Sequence, residues 1–245
     1  DGNGGRVPVP PIKTAKNDEP GRGEPKDTKP ANATTKDDPK RAERDAKRKK
    51  WAEVAQNVNK LKQIALAFHV YHEAYGSFLP DPEGNKDHFD ENGKLKLSWR
   101  VHLLPFVDDI ELYDKFRLDE AWDSENNKPL LAQMPDIYKT DGDTGTKTGF
   151  VGFVDTKRGK GDQPTTGMPQ GRRLQVSDVI DGTSNTFLVI KAPKANAVNW
   201  TAPEDFPFDA AKPEEAAKLL AQEETGLVWA MMDGPVHLLK SDIPA

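Results

Sequence analysis

The sequence contains no cysteine, so a disulfide framework, a thiolate metal site and a cysteine nucleophile are all excluded. It has no run of about 18 apolar residues, and therefore no segment with the composition of a transmembrane helix. It also lacks a basic patch interleaved with aromatic residues, which argues against nucleic-acid binding. Hydrophobic residues make up 35% and charged residues 31% of the chain, which is polar for a globular protein.

The first 50 residues differ in composition from the rest. They contain no aromatic residue and seven prolines, with 14 Lys/Arg against 9 Asp/Glu, whereas residues 51–245 contain 21 Lys/Arg against 31 Asp/Glu. Such a segment cannot bury much apolar area, so residues 1–40 are predicted to be a disordered linker and residues 41–245 a folded domain. A basic arm on an acidic body is expected to contact its own body, an acidic partner or a surface.

A long helix is predicted at the start of the domain. Asp38 could cap it, with Pro39 at its first position, and residues 40–50 form a charged helical stretch. Apolar residues then recur at spacings of four and three over residues 54–75, which is typical of an amphipathic helix. Gly76 fits the stop position.

The second half of the sequence has the patterns of short strands and turns. The predicted strands are 148–154, 173–176, 186–190, 198–200, 226–231 and 236–239. Between helix and strands, residues 95–101 could begin as a strand, whereas residues 102–115, 123–134 and, later, 213–224 are more helical. Residues 141–145 and 159–171 are predicted to be mobile loops. A helix followed by mainly antiparallel strands, with no βαβ alternation, indicates an α+β fold.

Eight sequence blocks occur in the order of a known family. They are NKLKQIALAFHVYH at 59–72, YGSFLP at 75–80, LSWRVHLLPF at 97–106, LYDKF at 112–116, DEAWDS at 119–124, IDGTSNT at 180–186, WTAPED at 200–205 and MDGPV at 232–236. Together they resemble the planctomycete DUF1559 family. The resemblance implies a pilin-like domain outside the cytoplasm, with a long N-terminal helix packed on an antiparallel sheet. It implies no established activity, although the family's label points to solute binding.

The chain departs from the family pattern in two places. Typical members carry an apolar prepilin segment where this chain has the charged residues 40–50, so insertion or polymerisation as a pilin is not expected. Many members also carry a histidine ten residues before the final Asp-Gly, and this chain has Glu223 there. A role tied to that histidine is therefore not expected here.

Two groups of residues have the types and spacing of metal ligands. His69 and His72 lie one helical turn apart and could share a metal, but a structural role is preferred because no third ligand is evident. A second group offers oxygen ligands at alternate positions, as a calcium loop does: Asp81, Glu83, Asn85 and Asp87. A simple turn is the preferred interpretation there, and also at 141–143.

Other polar and aromatic residues have a structural and a functional interpretation. Asp181 and Asn185 flank a Gly-Thr-Ser segment that could present an acid and hydroxyls, although a tight turn is preferred because no base accompanies Ser184. Trp99, Trp122 and Trp200 could form a sugar platform, although tryptophans are core anchors by default.

We therefore expect a non-enzymatic, extracytoplasmic structural or interaction protein. It would be a subunit or accessory of an envelope or surface assembly and would bind other proteins, without a cofactor unless calcium binds. The alternatives are a solute- or carbohydrate-binding module and a metal-dependent hydrolase that uses His69 and His72. The chain begins at Asp1 rather than Met, which a removed signal or lipoprotein leader would explain, so a lipid anchor is also considered.

Overall fold

A computed structural model describes residues 39–140, 145–155, 166–168, 173–209, 211–220 and 226–239. The chain divides between Lys49 and Lys50 into two units, residues 1–49 and 50–245. In the first unit the described residues are the opening turns of helix α1 (Pro39–Tyr75). The linker predicted for 1–40 lies outside the described residues, except for its last two positions. None of the described helices is long and apolar enough to cross a membrane.

Helix α1 confirms the prediction made from apolar spacing. It ends at Tyr75, and Gly76 follows with φ 68°, a conformation that glycine adopts without the Cβ clash of other residues. In the second unit its apolar stripe is buried and includes Leu61 and Ile64. Phe68 packs on Trp99, with 5.0 Å between ring centroids. The helix therefore buries one face along its C-terminal half.

Short helical turns fill residues 86–138. Helix α2 (Trp99–His102) and helix α3 (Ile110–Tyr113) are joined by a 3-10 turn at Leu104–Phe106. The strand predicted at 95–101 is wrong, because the Ser98 hydroxyl accepts a hydrogen bond from the Arg100 amide and caps α2. The helix predicted at 123–134 is shorter and is a 3-10 helix at Lys128–Gln133.

Within the described residues, eight short strands form three small sheets. They are β1 (Lys147–Thr148), β2 (Phe150–Val151), β3 (Phe153–Asp155), β4 (Phe187–Lys191), β5 (Val198–Asn199), β6 (Phe206–Phe208), β7 (Leu227–Met231) and β8 (Val236–Leu239). The order β2-β4-β7-β8 is antiparallel, as is the pair β1-β5, whereas β3 and β6 pair in parallel. With the helices, this is the predicted α+β fold.

The remaining predicted elements have mixed outcomes. The strand predicted at 148–154 is three strands, interrupted at Gly149 and Gly152. The strand predicted at 173–176 is wrong: residues 173–175 belong to no described strand, although Gln175 is extended, and a 3-10 turn follows at Val176–Asp178. Helix α4 (Pro213–Leu220) begins at the predicted proline. Residues 221–225 and most of the two predicted mobile loops lie outside the described residues.

Candidate interaction site

A buried ion pair holds the centre of the second unit together. Arg100 Nη2 donates to Asp205 Oδ1 at 2.9 Å, and both side chains are almost fully buried. Arg100 also donates to the Phe150 carbonyl through Nε and Nη2, and to Ser98 Oγ through Nη1. Asp205 accepts further hydrogen bonds from the Gly152 amide at 2.7 Å and from the Trp99 indole at 3.2 Å.

Every one of these groups is used to satisfy a buried charge. Burial raises the pKa of Asp205, while the Arg100 guanidinium and the Gly152 amide act in the opposite direction. Burial likewise lowers the pKa of Arg100, against the attraction of Asp205. A buried charge is tolerated only when it is paired and hydrogen-bonded. The Ser98-Trp99-Arg100 and Glu204-Asp205 segments of the sequence blocks are therefore joined in a structural network.

The end of α1 brings the two predicted histidine ligands beside the strand region. His69 and His72 both contact the Phe78 ring, with centroid distances of 5.6 and 4.5 Å. His69 Nε2 is buried without a hydrogen-bond partner among the described residues. A Cβ on Gly234 would stand 3.4 Å from that nitrogen. Burial, and then the neighbouring His69, lower the pKa of His72, which favours a neutral ring.

A metal site at these two histidines would need a third ligand. Over the described residues, no group of three His, Cys, Asp or Glu side chains is arranged to hold a metal ion. Two imidazoles alone fall short of the four-coordinate sites that zinc prefers in proteins. The side chains instead pack around Phe78, which is consistent with the structural role preferred from the sequence.

The predicted calcium loop forms a hydrogen-bonded turn. Asp81 Oδ1 accepts from the Glu83 amide at 3.0 Å, and the Asp81 carbonyl accepts from the Asn85 amide at 2.9 Å. The second carboxylate oxygen of Asp81 lies 3.7 Å from Arg173 Nε, while Asp87 lies in a 3-10 turn at Lys86–His88. Residues 141–143 lie outside the described residues, so calcium binding in either place stays a prediction.

Segment 173–178 is fastened to the end of α1. Arg173 Nη2 and Gln175 Nε2 both donate to the Gly76 carbonyl. The Leu174 carbonyl accepts from the Phe78 amide at 3.0 Å. Gln175 and Asp178 exchange hydrogen bonds as a capping box. The Leu174 carbonyl and the Gln175 amide are thereby used outside a strand ladder, which is consistent with the lack of a described strand at 173–176.

The Asp181–Asn185 motif is a turn whose polar groups bond to each other. Gly182 has φ 89°. The Asn185 side chain donates to the Asp181 carbonyl at 2.8 Å, and the backbone amide of Asn185 donates to the Gly182 carbonyl. Beyond the turn, the Thr186 carbonyl accepts from the Met232 amide at 2.8 Å. The motif therefore fixes the chain between segment 173–178 and β4.

Three large apolar side chains in residues 176–187 face solvent despite this fixed backbone. Ile180 is 69% exposed, Val176 48% and Phe187 37%. We call residues 176–187 the rim segment. Isolated exposed apolar residues are common on protein surfaces, but here three lie within twelve consecutive residues that are hydrogen-bonded at both ends. Sequence reasoning assigned this motif to turn chemistry and missed its exposed apolar flanks.

The tryptophans predicted as a sugar platform are placed differently. Trp99 and Trp200 are buried, and their indole nitrogens donate to Asp205 and to the Leu131 carbonyl. Neither ring offers a face to a ligand from solvent, so the structure corrects their assignment to such a platform: both are core residues because their apolar area and their N–H groups are satisfied inside. Trp122 is half-buried.

Sequence reasoning also missed a buried histidine pair. His88 and His102 stack with centroids 5.3 Å apart. Within the described part of the chain, His88 Nδ1 and His102 Nε2 are buried without hydrogen-bond partners. Burial lowers the pKa of His102 to about 3, helped by His88, and burial also lowers the pKa of His88. No local sequence pattern predicts that these two histidines stack, because His88 lies in a turn and His102 lies in a helix 14 residues later.

Comparison with known proteins gives a family and no activity. A family model described as a protein of unknown function (DUF1559) matches residues 54–235, which include the ion pair, the end of α1 and the rim segment. No curated protein and no solved structure matches the chain.

Proposed function

The chain belongs to the DUF1559 family of proteins of unknown function, and we propose that it is a non-enzymatic protein that docks other proteins through its rim segment. The observation that carries this proposal is the exposure of Ile180, Val176 and Phe187 on a backbone that is already held by hydrogen bonds. We further propose that it acts outside the cytoplasm as a subunit or accessory of an envelope or surface assembly, without a cofactor.

The energetic argument starts from the exposed apolar area. Burying an isoleucine, valine or phenylalanine side chain that was exposed to water contributes about 1.5–3 kcal/mol. Binding energy at protein interfaces is concentrated in a few such buried anchors. Because the backbone of the rim segment is fixed before binding, little conformational entropy remains to be lost there. Two or three anchors on this segment would therefore contribute part of the binding energy of a specific contact.

The polar groups of the rim segment support docking more than chemistry. The Asp181 carbonyl accepts from the Asn185 side chain, and the backbone amide of Asn185 donates to the Gly182 carbonyl. The Asp178 carboxylate accepts from the Gln175 amide. A nucleophilic serine or threonine needs a base within hydrogen-bond reach, and none of the five hydrogen bonds and caps described for this turn involves a histidine. The exposed surface of the rim segment combines Val176, Ile180 and Phe187 with the polar residues Ser177, Asp181, Ser184 and Asn185.

The size of the native complex tests the proposal. The tagged full chain would be expressed in its own host and extracted from the envelope fraction. It should elute in a complex heavier than the 27.1 kDa chain. Ile180→Asp should shift it to the free chain, because a charge at an apolar contact is desolvated without a partner. The matched control is Leu66→Asp, at a residue 62% exposed on α1, which should keep the complex. A wild-type chain that elutes alone, or an Ile180→Asp chain that stays in the complex, contradicts the proposal.

A further inference from the structure

The opening turns of α1 carry an unusual amount of positive charge. Residues 40–49 contain six Lys/Arg and two Asp/Glu, a net charge of +4. Residues 50–245 contain 22 Lys/Arg and 31 Asp/Glu, so their net charge has the opposite sign. Every residue from 40 to 49 is exposed. This part of the chain is therefore the one that an anionic surface attracts.

The helix arranges these charges on one side. At about 100° per residue, five basic residues fall within about 120° of the circumference, and we call them the basic stripe: Lys40, Arg41, Arg44, Lys47 and Arg48. Ala42 and Ala46 lie on the opposite side of the helix, while Glu43 and Asp45 lie at the two margins of the stripe. At about 1.5 Å per residue, the stripe is about 12 Å long. A straight, one-sided row of cations suits a flat anionic surface.

The ion pairs of the stripe do not cancel its charge. Asp45 lies 3.8 Å from both Arg41 and Arg48, and all three side chains are more than half exposed. Exposed pairs of this kind contribute little free energy and are screened by salt. The charge of one carboxylate is shared between two guanidinium groups, so the stripe keeps a net positive charge.

The geometry points to the surface of an anionic lipid bilayer as the partner, bound by adsorption of the basic stripe without insertion. Clusters of Lys and Arg on a helix bind anionic headgroups electrostatically. Insertion would need an apolar face, and the side opposite the stripe holds only Ala42, Ala46 and the sixth basic residue, Lys49. Residues 40–49 contain no aromatic residue that could stack on bases, and Trp51 beyond them is half-buried, which disfavours a nucleic acid. This contact is independent of the rim segment.

Vesicle flotation of the full chain tests the inference. Vesicles would contain phosphatidylcholine alone or with about 30% phosphatidylglycerol, at low and high salt. Binding is expected only to the anionic vesicles, and it should weaken as salt rises because screening shortens the reach of the charges. Each basic residue removed should lower the partition coefficient about fivefold, so Arg41→Gln, Arg44→Gln and Arg48→Gln together should lower it about 100-fold.

A matched variant removes the same charge elsewhere. Lys86→Gln, Lys128→Gln and Lys194→Gln, all at exposed positions, should leave binding within about threefold of wild type, because they lie outside the stripe. Equal losses in the two triple variants, or equal binding to neutral and anionic vesicles, would overturn the inference. So would displacement by inorganic phosphate beyond that by chloride of equal ionic strength, or tighter binding to polyglutamate than to the vesicles. Ile180→Asp should bind vesicles as wild type does.

Discussion

Acidification should destabilise the fold through His102. This ring is buried, stacked on His88, and its Nε2 has no hydrogen-bond partner within the described residues. Its pKa falls from 6.5 to about 3 because burial disfavours the imidazolium ion. In the unfolded chain the same ring has the ordinary value. Between these two pKa values the unfolded chain binds a proton that the folded chain excludes, so stability falls as the pH falls.

The size of the effect follows from the separation of the two pKa values. Each unit corresponds to about 1.4 kcal/mol. At pH 4.5, two units below the unfolded pKa, the folded state should have lost about 3 kcal/mol relative to neutral pH. The loss should reach about 4 kcal/mol at pH 3 and level off at about 5 kcal/mol below that pH. A domain stable by about 5–15 kcal/mol would lose a large part of its stability in this way.

Urea denaturation of wild type, His102→Phe and His102→Leu at pH 7 and pH 4.5 measures this contribution. Both variants remove the titrating group and cost no hydrogen bond at Nε2, so each should be about 3 kcal/mol less sensitive to acid than wild type. Groups away from the His88–His102 pair titrate identically in all three proteins, so the difference between the proteins reports the contribution of this pair. If the three proteins lose the same free energy between the two pH values, the assignment to His102 is refuted.

The other predictions concern packing and surface. Asp205→Ala should lower the free energy of unfolding by about 3–5 kcal/mol, because it leaves Arg100 as an uncompensated buried charge, and chemical denaturation measures this loss. Gly167→Ala should lower the thermal midpoint, because its Cβ would stand 2.6 Å from the Phe187 carbonyl oxygen and the backbone would have to move; a midpoint equal to wild type would contradict that contact. Ile180→Asp should change the free energy of unfolding by less than about 0.5 kcal/mol, because the side chain is exposed, and a large loss would show that Ile180 belongs to the core.

The parts of the fold that could be predicted are those with local causes. Helix α1 follows from apolar spacing over residues 54–75, and its end follows from Gly76. Segment 173–176 was wrongly predicted to be a strand because Leu174 and Val176 alternate with polar residues, as they would in a strand. Its hydrogen bonds go to residues 76–78 instead, which no local pattern records. Strand β6, Phe-Pro-Phe, was missed because proline argues against a strand.

The candidate site divides in the same way. The turn at 181–185 could be predicted from Asp, Gly and Asn, which bond their own backbone. The burial of Trp99 and Trp200 could not be predicted from the sequence, because it depends on residues far away along the chain, such as Asp205 and Leu131. The exposure of Ile180 could not be predicted either, because it also depends on residues far away in the sequence. From sequence alone, an apolar residue is expected to lie in the core, whereas Ile180 is 69% exposed.

The ion pair between Arg100 and Asp205 also constrains the order in which the second unit can form. Its partners are 105 residues apart, and Phe150 and Gly152 join them from between. Contacts that close such long loops are made slowly. During synthesis, a chain that ended before residue 205 would hold the Arg100 charge and the Phe150 carbonyl without Asp205. The core around α2 should therefore complete its packing only after Asp205 has left the ribosome.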